Sequence, residues 1–145
     1  MSATNKTGGF SEAEKQAMRE RAAELKAEKG GKKKAEMEKA ALDAIAAMPD
    51  EDRLIAERIH ALVLERAPDL TARTWYGMPA YANGDGKVVC FFQAKSKFDS
   101  RYATFGFNDV ANLDDGPMWP VTYAITEWTP EVEKQVASLI EQAVS

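Results

Sequence analysis

With 145 residues, the chain has room for one hydrophobic core, and its 45% hydrophobic and 29% charged residues are typical of a globular domain. The formal net charge of −4 and the pI near 5.1 argue against a nucleic-acid partner, because phosphate binding needs a basic surface. No apolar run approaches the roughly 20 residues that cross a bilayer, and the polar N-terminus lacks a signal-peptide pattern. Since a single cysteine cannot form an internal disulfide, a cytoplasmic protein is predicted.

Residues 1–34 are predicted to form a tail and a helical extension ahead of the main domain. Ser11 and Glu14 have the spacing of a capping box, so a helix is expected from there to about Glu28. Its apolar stripe is narrow, which predicts loose packing against the rest of the chain. The segment 30–34, with two glycines and three lysines, then predicts a linker, since these residues disfavour a continuous helix.

Residues 35–145 are predicted to form one α+β domain. Two helices are expected first, from about Ala35 to Met48 and from Asp50 to near Ala67. Strand patterns follow at 73–76, 80–82, 87–95, 101–107 and 121–126. Thr129 is predicted to cap a final helix. This order predicts an antiparallel sheet of about four or five strands, with the C-terminal helix packed on one face.

The strand predicted at 87–95 raises a question about its two faces. Its core face is expected to carry Cys90 and Phe92, together with Val88 and Ala94. The opposite face would begin with Val89 and Phe91, whose apolar side chains need cover. The N-terminal helices could supply it, and so could a ligand or a second copy of the chain, in which case the protein would be a homodimer with a structural or interaction role.

No familiar catalytic motif is found in the sequence. It lacks a phosphate-binding glycine loop, a Gly-x-Ser-x-Gly turn and a pair of histidines for zinc. His60, the single histidine, lies at the margin of a helical apolar stripe, where a packing role is expected. Cys90 lies within the most apolar strand, where burial would make it unreactive. A protein without evident catalysis is therefore predicted.

Aromatic side chains are concentrated between residues 73 and 107. They could line a pocket that offers phenol and indole groups, or they could form the aromatic-rich core of a small sheet. The residues assigned to a candidate ligand-binding surface are Trp75, Tyr76, Met78, Tyr81 and Phe91. The sequence thus favours a small binding or adaptor protein, monomeric or homodimeric, whose partner is an unidentified small molecule or protein.

The segment 76–81, with the sequence Tyr-Gly-Met-Pro-Ala-Tyr, resembles the YdhG-like family of uncharacterised bacterial proteins in the YjbR/CyaY (frataxin-like) superfamily. The resemblance extends to the strand at 86–97, to the helical residues Ile45, Met48-Pro49 and 58–63, to the exit at 68–70, and to the C-terminal helix. It covers residues 38 to 144 and leaves the N-terminal extension outside. It implies an α+β sandwich in which helices lie on one face of an antiparallel sheet.

The resemblance also implies an alternative function, because some relatives are described as frataxin-like iron chaperones that bind iron through an acidic ridge. Carboxylates suit iron as hard ligands. The acidic residues assigned to this alternative are Glu51, Asp52, Glu57, Asp114 and Asp115. Arg53 and Arg58 interrupt the series on the helix, which departs from the ridge of those relatives. Apart from iron in this alternative, no cofactor is predicted.

Overall fold

The computed structural model describes residues 9–29, 31 and 33–145 of the chain. Within them the elements are α1 (Glu12–Lys29), α2 (Lys34–Ala46), α3 (Asp50–Arg66), β1 (Thr71–Trp75), β2 (Met78–Ala82), β3 (Val88–Gln93), β4 (Ala103–Phe107), β5 (Thr122–Ile125) and α4 (Pro130–Ala143). This order confirms the predicted α+β class. Most of the predicted tail, with Gly30 and Lys32 of the predicted linker, lies outside the described residues.

The five strands form one antiparallel sheet in the order β1-β2-β3-β4-β5, so each strand pairs with its neighbour in sequence. Trp75 pairs with Met78, which leaves Tyr76 and Gly77 as a two-residue hairpin turn. Both turn residues have positive φ, +54° and +79°, as the tight turns favoured in hairpins require. The predicted hairpin at 83–86 is also formed, and the Asn83 side chain accepts hydrogen bonds from two backbone amides within it.

The pairing register assigns side chains to the two faces of the sheet, because residues directly opposite each other share a face. Tyr81 lies opposite Ala72 and Cys90, and all three are buried in the hydrophobic core, so this is the core face. Ala80 lies opposite Arg73 and Phe91, which places these two side chains together on the outer face.

Val89 is buried in the protein's own core, which answers the question of what covers it. The register between β2 and β3 shifts between Tyr81 and Ala82, so that Ala82 lies opposite Val88. Such a shift breaks the alternation of faces on which the sequence prediction relied. The sequence left open whether the N-terminal helices, a ligand or a second copy would cover Val89, and the chain's own core covers it in this structure.

Phe91 remains half-buried on the outer face, where its ring lies on the backbone of β4. A Cβ atom at Gly106, the residue opposite, would collide with the Phe91 ring. The glycine thus lets the ring pack flat against the neighbouring strand. On its other side the ring is 5.3 Å from that of Trp75, measured between centroids.

The helices are joined to the sheet through one hydrophobic core. Apolar side chains of α2, α3 and α4 belong to the same cluster as those of the core face, and α4 packs against α3. α2 lies against β1 and β2. The placement of the C-terminal helix on one face of the sheet stays a prediction. No helix in the described part of the chain combines the length and the apolar character that crossing a membrane would take.

The first helix is attached to the domain differently from the other three. The predicted capping box is present, since the Glu14 amide donates to Ser11 Oγ at 3.0 Å and the Ser11 amide donates to Glu14 Oε1 at 2.8 Å. Of its larger apolar residues, Met18 is 40% exposed and Leu25 is 44% exposed. The small side chain of Ala17 is buried. Neither of the two larger apolar side chains is fully buried, and carboxylates of α1 contact the β1–β2 turn, Arg73 and Lys97.

Candidate functional site

Three of the five predicted surface residues form one partly exposed group, the aromatic cluster of Trp75, Tyr76 and Phe91. The Tyr76 ring meets the Trp75 ring edge-on, with 5.0 Å between centroids. The Trp75 ring also contacts the Phe91 ring, with 5.3 Å between centroids. Tyr76 is 36% exposed, whereas Trp75 and Phe91 are half-buried. Together they present an aromatic surface beside the β1–β2 turn.

The other two predicted surface residues are buried, so the structure does not bring all five together. Tyr81 is 1% exposed on the core face, and its hydroxyl lies 2.9 Å from Nδ1 of His60. Met78 is also buried. These two side chains belong to the folded interior and are not available to a ligand in solvent.

Burial governs the ionisation of the reactive side chains in this core. It raises the pKa of the Cys90 thiol to about 12 and raises the pKa of the Tyr81 hydroxyl above its usual range. It also lowers the pKa of His60, an effect that the charge of Glu38 partly opposes. At neutral pH these three groups are therefore uncharged, which agrees with the predicted packing roles of His60 and Cys90.

Acidification is expected to destabilise the protein through His60. Burial lowers its pKa in the folded state, so below the usual value of about 6.5 the unfolded chain binds a proton that the folded protein does not. The free energy of unfolding should then fall as the pH decreases from 7 to 5, by about 1.4 kcal/mol for each pH unit between the two pKa values. Urea unfolding across this range measures the slope. The variant His60→Gln should lose this part of the slope, and an identical slope in both proteins would contradict the assignment.

The β1–β2 turn presents two backbone amides to a single carboxylate. The Tyr76 amide donates to Oε1 of Glu24 at 2.9 Å, and the Gly77 amide donates to Oε2 at 3.0 Å. Successive amides in a positive-φ turn form a concave site for anions. Arg21, on the same helix as Glu24, lies 3.5 Å from this carboxylate and stacks over the Tyr76 ring at 5.8 Å.

Two further carboxylates of α1 contact basic side chains on either side of this turn. Glu28 forms an ion pair with Arg73, whose side chain is 7% exposed, and Glu20 lies 3.1 Å from Lys97 Nζ. Burial alone would raise the pKa of Glu28, but the hydrogen bonds and charges of Arg73 and Arg21 outweigh it and hold that pKa below its usual range. We refer to the amides of Tyr76 and Gly77 with the side chains of Arg73 and Lys97 as the corner.

Sequence analysis missed the acidic residues of α1. Glu20, Glu24 and Glu28 are spaced four residues apart, which places them on one face of a helix. The same spacing is common on solvent-exposed faces, so it does not by itself indicate a contact. A helix that combines such an acidic face with a narrow apolar stripe has little apolar surface with which to attach to the domain. This combination was the sequence signal that could have indicated a contact through the carboxylates.

The acidic residues assigned to the iron alternative have separate structural partners. Asp52 is 1% exposed and accepts hydrogen bonds from the amides of Lys95 and Ser96, at 2.9 and 3.3 Å, and from Ser96 Oγ at 2.8 Å. Glu51 lies 2.6 Å from Lys95 Nζ, and this hydrogen bond raises the pKa of Lys95. Both carboxylates thus hold the segment after β3 against the start of α3.

Glu57, Asp114 and Asp115 are exposed. Across residues 9–29, 31 and 33–145, no three His, Cys, Asp or Glu side chains are grouped so that they could hold a metal ion. The five assigned acidic residues are therefore not brought together, and iron binding stays a prediction.

An open cleft of about 660 Å³ lies between the end of α3, the loop after β4 and the end of α4. Leu70, Val89 and Val110 supply apolar lining, and Asp114 lies at its margin. None of the aromatic cluster lines it, so the cleft and the corner are distinct surfaces.

Comparisons with protein-family models, with curated proteins and with solved structures found no match to this chain. The resemblance to the YdhG-like family accordingly stays a prediction.

Proposed function

We propose that the protein is a small non-catalytic binding module whose binding surface is the corner together with the aromatic cluster. The observation that carries this proposal is the conformation of Tyr76. An aromatic, non-glycine residue occupies the left-handed region, with φ of +54°, in the turn that also presents two amides to a carboxylate.

Left-handed backbone at a residue other than glycine costs about 1–2 kcal/mol. Asparagine or glycine would form the same turn with less strain. What tyrosine adds is a partly exposed ring that extends the surface made by Trp75 and Phe91. Strained residues of this kind tend to occur at binding sites, where the surrounding structure holds them in place.

Among the residues that the structure describes, the thiol, the histidine and the buried phenol of the core do not belong to this surface, which supports a binding role. The Cys90 thiol and the Tyr81 hydroxyl are buried, and burial raises the pKa of both. His60 is also buried, and its Nδ1 is engaged with Tyr81. A nucleophile and a base within hydrogen-bonding reach of each other would be expected at an active site, and these groups lie on the other face of the sheet from the aromatic cluster.

The variant Tyr76→Asn tests this proposal, because asparagine tolerates positive φ but lacks the ring. The free energy of unfolding should change by less than about 1 kcal/mol, since relief of backbone strain offsets the lost aromatic contact. A library of small aromatic compounds and short peptides would be screened against the ¹⁵N-labelled full chain by NMR. Ligands that shift the Trp75 indole N–H signal should bind Tyr76→Asn at least tenfold more weakly.

Tyr102→Asn provides a matched control, because Tyr102 is also partly exposed and also lies beside an arginine, Arg101 at 5.3 Å. It should leave binding unchanged. If every ligand found by the screen shifts residues of the 660 Å³ cleft instead, the proposed surface is wrong.

A further inference from the structure

We propose that the corner is a carboxylate-binding site, which α1 occupies within the same chain and an acidic helix of a partner protein occupies when α1 is displaced. This inference rests on the proposed function, because it assigns a ligand class and a means of regulation to the same surface. The contacts that α1 makes with the corner define which groups of a ligand the site can bind.

The central feature is a two-point contact between the turn and one carboxylate. Each carboxylate oxygen of Glu24 accepts a hydrogen bond from one backbone amide, from Tyr76 at 2.9 Å and from Gly77 at 3.0 Å. The amides belong to a two-residue turn whose conformation is set by the pairing of β1 with β2. Because the strands hold the turn, the two donors remain aligned whether or not α1 is present, as a preorganised anion site requires.

Two basic side chains extend the site along the axis of the bound helix. Arg73 forms an ion pair with Glu28 at one end of the site, and Lys97 forms an ion pair with Glu20 at the other. Glycine suits position 77 because φ there is +79°, whereas a Cβ atom would meet only the flexible end of the Glu20 side chain. The corner therefore matches a helix that carries carboxylates at positions i, i+4 and i+8.

The burial of Arg73 restricts which helix can cover the corner. When α1 is bound, the Arg73 side chain is 7% exposed and pairs with Glu28. An apolar or basic helix in the same place would leave a buried guanidinium without a counter-charge, which is strongly unfavourable. A competing partner must therefore supply a carboxylate at this position, which identifies it as acidic.

The attachment of α1 is of a kind that a competitor can break. Met18 and Leu25 are 40% and 44% exposed, so the helix buries neither of these large apolar side chains completely. The Glu20–Lys97 and Glu28–Arg21 pairs involve partly exposed groups, which are weak individually and are screened by salt. The side chains of Glu24 and Arg73 are 10% and 7% exposed, so their contacts are the stronger ones that a competitor has to replace. Only residues 30–33 separate α1 from α2, and Gly31 among them has φ of +78°. Glycine adopts this backbone conformation at little steric cost, which allows the chain to change direction at Gly31.

The experiment measures binding of a fluorescein-labelled synthetic peptide of residues 11–29 to the full-length chain by fluorescence anisotropy. In the variant Glu20→Gln/Glu24→Gln/Glu28→Gln, the peptide should bind about tenfold more tightly than to the unaltered chain. The reason is that a tethered helix has an effective concentration on the order of 1 mM, which competes with a free peptide of about 100 µM affinity. In ¹⁵N spectra of this variant, the Tyr76 and Gly77 amide signals should shift, and added peptide should return them towards their original positions.

Three controls define the chemistry. The same peptide with glutamine at the three positions should bind at least tenfold more weakly. The chain variant Glu12→Gln, at an exposed position of the first turn of α1, should bind the peptide no better than the unaltered chain. Adding Lys97→Gln to the triple variant should weaken peptide binding about threefold, and this change at a partly exposed side chain avoids the folding defect that a substitution of Arg73 could cause.

Three outcomes would overturn the inference. One is equal binding of the acidic and glutamine peptides. Another is no peptide binding to the triple variant although its Tyr76 and Gly77 amide signals have shifted. The third is a concentration-dependent dimer in which α1 is exchanged between copies, seen by sedimentation of the unaltered chain. None of these bears on ligands that contact the Trp75 ring, so the proposed function would still stand or fall on the Tyr76→Asn comparison.

Discussion

Replacing Tyr81 with alanine is expected to lower the free energy of unfolding by about 3–5 kcal/mol. The ring is almost completely buried on the core face, so its removal leaves a cavity among Ala72, Cys90 and their neighbours. The substitution also removes the hydroxyl that His60 contacts, which leaves a buried polar atom without a partner. Urea unfolding followed by circular dichroism gives the difference directly.

Two variants separate the parts of this effect. Tyr81→Phe keeps the ring and loses only the hydroxyl, so it should cost about 1–3 kcal/mol. Tyr76→Ala alters a tyrosine at the opposite end of the same strand pair, where the ring is partly exposed, and should cost less than about 1 kcal/mol. A Tyr81→Ala protein that is as stable as Tyr76→Ala would contradict the assignment of Tyr81 to the core.

Replacing Asp52 with alanine is expected to destabilise the protein by about 3 kcal/mol. Its carboxylate accepts hydrogen bonds from two backbone amides and one hydroxyl in a buried position, and each donor left without an acceptor costs about 1–3 kcal/mol. Glu51→Ala is the matched control on the adjacent residue. Its ion pair with Lys95 is exposed, so the change should stay below about 0.5 kcal/mol. Chemical unfolding of both variants tests the difference, and equal stabilities would contradict a structural role for Asp52.

The role of Asp52 decides how the iron alternative can be examined. A loss of iron binding in Asp52→Ala would reflect damage to the fold as much as loss of a ligand. Glu57→Gln is the more informative variant, because Glu57 is exposed on α3 and its replacement leaves the contacts of Asp52 and Glu51 in place. An anaerobic ferrous-iron titration of that variant therefore separates binding from stability.

Features encoded by neighbouring residues were predictable from the sequence. The capping box of α1 depends on two side chains three positions apart, and the hairpin at Asn83 depends on a single turn. The order of the elements, with helices first, then strands and then a final helix, followed from successive periodic patterns, and the structure confirms it. In each case the interacting groups are close in sequence, so local physical chemistry was sufficient.

Features that depend on tertiary contacts were not predictable in the same way. The burial of Val89 follows from a shift in strand register, which no pattern within β3 alone reveals. The separation of Tyr81 from Trp75 follows from the strand faces, although the two residues are close in sequence. The contact of Glu24 with the β1–β2 turn joins groups more than 50 residues apart. Its carboxylate has the same chemistry on a solvated helix as in this contact, so only the fold shows its role.

The pairing of each strand with its neighbour in sequence also bears on how quickly the protein folds. Each step of sheet formation joins strands that follow one another in sequence, the longest connection being residues 108–121 between β4 and β5, and such closures cost less chain entropy than distant pairings. The contact between α3 and α4 spans a longer stretch of chain, because α3 precedes all five strands in sequence and α4 follows them. We therefore expect the sheet to form early from successive hairpins, and the docking of the last helix onto α3 to complete the native state.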